Sequence, residues 1–288
     1  MLAHASPLTS WSANPLQLAP IAIAAILYWR RAGRLRARGQ PVPAWRQWLF
    51  GLGIALLVLA VASPIDALGE DEFFWAHMVQ HVLVGDLAPL ALLAGLTGPL
   101  LRPVLAIRLV DRLRVLAHPF VALPLWAVNL YAWHLPIAYQ GALHHDAIHA
   151  LQHALFLTCG ALMWAPVVEV LPAPAWFGTG AKMGYIVVVR LIETVLGNVF
   201  VWSGTVFYTF YEHPTERWGI SPLADQGIAG SVMMIEGSFV TLGALAWLFL
   251  RLGAESELRQ ELLERGVDPR AVRRAVRYGR AEELSDPR

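Results

Sequence analysis

The fold turns on FFWAHMVQHVLVGDLAPLALLAGL, residues 73–96. The run is apolar over the length a bilayer demands of a helix, about 20 residues. Yet two histidines, His77 and His81, sit near its start, and histidine is a poor residue for hydrocarbon. HALQHALFLTCGALMW, residues 149–164, repeats the arrangement with His149 and His153. Positions four apart differ by about 40° around a helix and about 6 Å along it, so each pair shares one face.

Working outward, the 288-residue chain is 57% hydrophobic and 15% charged, where a soluble domain carries about a quarter charged residues. Its mean hydropathy is +0.50. The charges cluster and leave apolar runs of spanning length between them, which predicts an all-α, polytopic membrane helix bundle. The net charge of +1 carries no message in such a protein, and no nucleic-acid partner is expected. Cys159 is the single cysteine, so no disulfide forms within the chain, and its apolar surroundings make it a packing residue. The start, MLAHASPLTSW, lacks a positive leader region, so no cleavable signal peptide is expected.

Apolar runs read against breakers predict about seven spans, at about 15–30, 46–63, 74–97, 119–135, 146–168, 183–206 and 225–251. Pro124 is expected to kink the fourth. Arginine placement then orients them. RRAGRLRARG, the segment with Arg102, Arg108, Arg112 and Arg114, Lys182 and the tail are basic. The alternate connections are acidic (DALGEDEFF), free of Lys and Arg (HLPIAYQGALHHD), or carry only Arg217. The N-terminus is therefore expected outside and the C-terminus in the cytoplasm. Residues 1–253 form the transmembrane domain and 254–288 a charged cytoplasmic tail of two short helices, broken at Gly266, the second opening at Asp268-Pro269.

This orientation puts both histidine pairs at outer ends of inward-running helices. His145 lies one turn before His149, and His134 ends the fourth span on the same side. If the two helices are neighbours, their imidazoles converge, and imidazole is the commonest metal ligand. The candidate ligands are His77, His81, His149 and His153, with His145 and His134 beside them. Gln80 and Gln152 flank the pairs, placed for outer hydrogen bonds. A haem suits the pattern poorly, since one ring from each helix would serve and the others would stand idle. Five further polar or thioether residues are possible accessories. Asp86, nine residues after His77, turns to roughly the opposite face. Asp225 and Glu236, eleven apart, return to nearly one face, with Met233 and Met234 close by as soft donors or simple packing. Arg190 and Glu193, three apart, are placed to neutralise each other.

FWAHMVQHVLVGDLAPLALLAG, WHLPIAYQGALHHDAIHALQHALFLTCGALMWAPVV and SPLADQGIAGSVMMIEG resemble, in order and spacing, the three signature regions of the CtaG-type assembly factors of caa-type cytochrome c oxidases. The resemblance covers the third to seventh spans. It implies functional histidines at His77, His81, His149 and His153, with Asp225 and Gln226 opening the last span. It also implies a role in maturing the respiratory oxidase by handling copper at the outer side of the membrane. Where the family pattern carries a Trp-Val-Pro-Gly-like run, this chain has Met234-Ile235-Glu236-Gly237, losing a proline and gaining a carboxylate.

The expectation is a multi-pass protein of the bacterial plasma (inner) membrane, partnered by cytochrome c oxidase subunits and the lipid bilayer, delivering copper and not acting as an enzyme. Copper comes from the resemblance, because four imidazoles suit zinc or nickel nearly as well. Two alternatives stand beside it. One is a membrane metalloenzyme with a di-iron-like histidine cluster, although enzymes of that kind carry their boxes on the cytoplasmic side. The other is a metal-free scaffold for oxidase assembly.

Overall fold

A computed structural model describes residues 7–171 and 173–277. The helices in chain order are α1 (Pro15–Ala37), α2 (Ala44–Ala62), α3 (Pro64–Asp71), α4 (Phe74–Val82), α5 (Ala88–Ala94), α6 (Gly98–Leu105) and α7 (Arg108–Leu113). They continue with α8 (Pro119–Trp133), α9 (Pro136–Leu143), α10 (Asp146–Val168), α11 (Thr179–Trp202), α12 (Glu212–Arg217), α13 (Pro222–Glu264) and α14 (Pro269–Arg277). No strand occurs among the described residues. Five helices are long and apolar enough to cross a membrane: α2, the continuous Phe74–Ala94 rod of α4 and α5, α10, α11 and α13. A sixth span results if Arg108–Ala117 and Pro119–Trp133, bent by 79°, count as one.

The first of the seven expected spans, 15–30, corresponds to α1, which is helical but less apolar. Every 18-residue window along it contains Arg30 and Arg31. Large apolar side chains lie on outward faces of the long helices, among them Ile23, Trp48, Val195, Phe239 and Leu250. In water such faces would be liabilities; in lipid they are the ordinary surface.

Local chemistry sets the helix ends. The Asn14 side chain accepts from the Leu16 amide at 3.0 Å and starts α1. Ser63 accepts from the Ile65 amide at 3.2 Å, with Pro64 opening α3 behind it. Pro124 lies inside the unbroken α8; the sharp bend falls ahead of that helix, at His118. α13 runs without a break through residues 253 and 254 to Glu264. Gly266, at φ +79°, then turns the chain in a conformation glycine adopts freely. The Asp268 carboxylate accepts from the Arg270 and Ala271 amides to open α14, as the Asp268-Pro269 pair predicts.

Two compact units result. One takes in the chain up to Ala173 together with Ile192–Glu236; the other takes in Pro174–Leu191 and the chain from Gly237 onward. In the second, Thr179 donates to Glu255 at 2.7 Å and Arg190 to the Ser238 hydroxyl at 2.8 Å. There, too, Leu262, Val272 and Val276 bury α13 against α14. In the first, α2 packs along α5, and α10 packs against α8, α5 and the turn that joins α4 to α5. The closest approach is at Gly160 on α10. A Cβ there would lie 1.9 Å from the Gly85 carbonyl oxygen, so only glycine lets these two backbones touch.

Candidate metal centre

α4 begins at Phe74 without a cap from its own preceding residue. The cap comes instead from Asp225, at the start of α13, whose carboxylate accepts from the Phe74 amide at 2.8 Å and the Trp75 amide at 3.2 Å. Asp225 therefore fixes where the first histidine helix starts and donates nothing to the histidines themselves. Gln226, beside it, accepts from the Phe207 amide at 2.9 Å and donates to the Thr205 carbonyl at 3.1 Å. The opening of α13 is a clamp on two other segments.

From that start, His77 and His81 point into the space between α4 and α10, and His149 and His153 meet them from the other side. Ring centroids lie 5.2 Å apart for His77 and His149 and 5.8 Å for His81 and His153. Each of the four residues can offer a nitrogen such that all four atoms lie within 4.8 Å of one another. Their exposures are 0%, 5%, 3% and 7% in sequence order, so the cluster is buried rather than a surface patch.

Hydrogen bonds decide which nitrogen faces inward. His77 Nδ1 lies 3.2 Å from the Gly69 carbonyl and 3.3 Å from the Tyr211 hydroxyl, which itself donates to Gly69 at 2.7 Å. The carbonyl can only accept, so Nδ1 carries the proton and Nε2 presents its lone pair. Burial pushes the Tyr211 hydroxyl well above its ordinary range, which keeps it a donor. His149 Nδ1 sits 2.7 Å from Glu70 Oε1, which again leaves Nε2 as the ligand atom, without a hydrogen-bond partner. His77 Nε2 and His81 Nε2 are 2.8 Å apart. His81 Nδ1 and both nitrogens of His153 have no partner either. Buried polar atoms are ordinarily paired. Unpaired nitrogens on three of the four rings, His81, His149 and His153, fit a cation, which neutral imidazoles coordinate through one lone pair each.

Glu70 and Gly69 went unrecognised at the sequence level, where the acidic DALGEDEFF stretch registered only as a charge marker. The short helix α3 brings them under the histidines. Gln80 does not reach an imidazole: it donates to Asp66 at 2.6 Å and to the Ala60 carbonyl at 3.1 Å, tying α4 to α3 and α2. Gln152 is fully buried and its amide makes no hydrogen bond.

The other expected residues separate. His145, at the head of α10, is exposed and lies outside the cluster. His134 is buried but stands off, its ring 6.0 Å from His81, with Nδ1 bonded to the Leu130 carbonyl at 2.7 Å and Nε2 unpaired. It faces a cavity of about 50 Å³ that adjoins the cluster at His81 and whose wall also includes Asp86, Glu193, Met233 and Glu236.

Asp86 reaches that wall because Leu83–Leu87 forms a π turn. The turn absorbs one residue, which changes the His81-to-Asp86 rotation from about 140° to about 40°. Regular-helix geometry had turned Asp86 away from the histidine face. Trp164 donates its indole N–H to this carboxylate. Met233 lines the cavity that His81 and His134 share, while Met234 packs where a Cβ on Gly197 would fall.

No curated protein and no solved structure matches the chain. The sequence model of one family does match, over residues 26–254, a stretch that includes both histidine helices, the Glu70 segment and the Asp225 cap. The chain belongs to the cytochrome c oxidase caa3 assembly factor family.

Proposed function

We propose that this assembly factor receives copper at the four-imidazole pocket and passes it to the oxidase at the outer face of the bacterial plasma membrane. The observation that carries this is the cluster itself: buried imidazole nitrogens of His77, His81, His149 and His153 within 4.8 Å of one another, several of them unpaired. Copper, among metals that imidazole suits, is the one the assembly role implies. The outward orientation is supported by the side-to-side alternation of arginines in the connections.

Handing a metal on demands ligands that let go in sequence, and the four rings are unequally held. His77 and His149 are braced on their outer nitrogens by Gly69 and Glu70, an arrangement that orients an imidazole and strengthens it as a ligand. His153 has no such brace, and the His81 ring hydrogen-bonds to His77 alone, with Nδ1 unpaired. The braced pair retains the ion while His81 and His153 are exchanged for donors of the partner. The step is ligand exchange and moves no electrons.

The test is elemental analysis of the detergent-purified full chain after loading with cuprous ion. Wild type is compared with the His77→Ala/His81→Ala and His149→Ala/His153→Ala proteins. Bound copper in wild type and its loss from both variants is the expected result; equal copper in all three refutes the site. Iron with oxygen-dependent turnover would instead indicate an enzyme. Normal oxidase assembly with both pairs replaced by glutamine would indicate a scaffold.

A further inference from the structure

Six arginines, Arg30, Arg31, Arg34, Arg36, Arg38 and Arg46, fall on α1, α2 and the link between them, and the first carboxylate in the chain is Asp66. Arg46 is engaged as a helix cap, donating to the Ala94 and Leu96 carbonyls at 3.0 and 2.7 Å. Among the described residues, no carboxylate pairs with Arg30, Arg31 or Arg34. Arg31 donates to the Pro99 carbonyl at 3.0 Å, and its Nε is buried without a partner. Among the described residues, this dense positive charge thus lacks a counter-charge.

These three arginines rim a groove of about 430 Å³ between α1, α2 and α6, a size within the range of small-molecule sites. Its other walls are apolar and include Leu27, Phe50, Leu100 and Val104. Its floor is firm: the Tyr28 and Phe50 rings stack with centroids 3.7 Å apart, and the Tyr28 hydroxyl donates to the Gly95 carbonyl at 3.0 Å. The groove lies where α1 changes from PLQLAPIAIAAIL to RRAGRLRA. A ligand lying there meets hydrocarbon at one end and guanidinium at the other.

We propose that this groove is a binding site for an anionic phospholipid, with its phosphate on Arg30, Arg31 and Arg34 and an acyl chain along Leu27, Leu100 and Val104. Guanidinium forks match phosphate geometry, and basic pockets between membrane helices are a known setting for anionic headgroups. The apolar wall selects a lipid over free phosphate, since phosphate gains nothing from it. The site lies apart from the histidine pocket and does not depend on copper.

The experiment is native mass spectrometry of the full chain in detergent, titrated separately with phosphatidylglycerol, cardiolipin and phosphatidylcholine. Retention of the two anionic lipids in preference to phosphatidylcholine is expected. The Arg30→Gln/Arg34→Gln protein, which keeps the Arg31–Pro99 bond, should bind them about 25-fold more weakly, at roughly fivefold per arginine. Arg36→Gln/Arg38→Gln removes as much charge outside the groove and should bind as wild type does. Val104→Trp, which fills the groove without changing charge, should also weaken binding. Millimolar inorganic phosphate should not displace the lipid. Equal affinity for phosphatidylcholine, or equal losses in the two arginine pairs, would overturn the site. Displacement by phosphate would overturn the lipid as its occupant.

Discussion

Gly160→Ala is the most exacting test of the architecture. The added Cβ would sit 1.9 Å from the Gly85 carbonyl oxygen, 2.9 Å from the Gly85 carbonyl carbon and 3.2 Å from the Pro89 Cγ. The nearest obstacle is backbone, so no rotamer change relieves it. Ordinary contact begins at 3.4 Å, and the difference of 1.5 Å must come from α10 moving away from the π turn. Overpacking of this kind costs about 1–3 kcal/mol. At about 2–4 °C per kcal/mol for a chain of this size, the melting temperature should fall by roughly 2–12 °C.

The effect should also reach the metal pocket. Gly160 lies seven residues, about 10.5 Å of helix, beyond His153. An imidazole-bound ion sits about 2 Å from each nitrogen, so opposed donors must come within about 4 Å of one another. The four donors lie within 4.8 Å of one another, which leaves little slack, and a further 1.5 Å puts one helix out of reach. Copper affinity should therefore fall more than tenfold. Thermal melts in detergent and competition with a copper chelator measure the two effects. Gly227→Ala, where an added Cβ meets nothing within 4 Å, should change neither. If Gly160→Ala melts and binds as wild type does, the close packing of the two helices is wrong.

Glu70→Gln removes the carboxylate that holds His149 Nδ1 and should weaken copper binding about 10- to 100-fold with little change in helix content, measured by the same competition and by circular dichroism. Asp225→Ala deletes the acceptor for two amides of α4 and should lower stability by about 1–2 kcal/mol, whereas Asp225→Asn keeps one acceptor and should lose less; melts of the two proteins decide it. Asp66 has its carboxyl pushed up to about 7, first by burial and then by the neighbouring Glu70 carboxylate. The folded state then holds a proton that the unfolded chain releases near pH 4, so this group's contribution to stability falls as pH rises from about 4 to about 7. Asp66→Asn should flatten melting temperature against pH across that window, and an unchanged slope would exclude Asp66 as its source.

The sequence by itself determined the membrane-helix class, because apolar runs longer than about 20 residues have few other stable settings. It also determined the facing of each histidine pair, since i,i+4 spacing puts two rings on one side of any helix. The end of α13 and the start of α14 were legible in Gly266 and Asp268, whose effects are local. What periodicity could not supply was anything set by a partner distant in the chain. Glu70 braces His149 from 79 residues away, and Asp225 caps α4 from about 150 away. Asp86 changed faces because a π turn inserted a residue into the register. Gly85 and Gly160 brought the two histidine helices into contact, a closeness that exists only between backbones and leaves no mark in the spacing of either run.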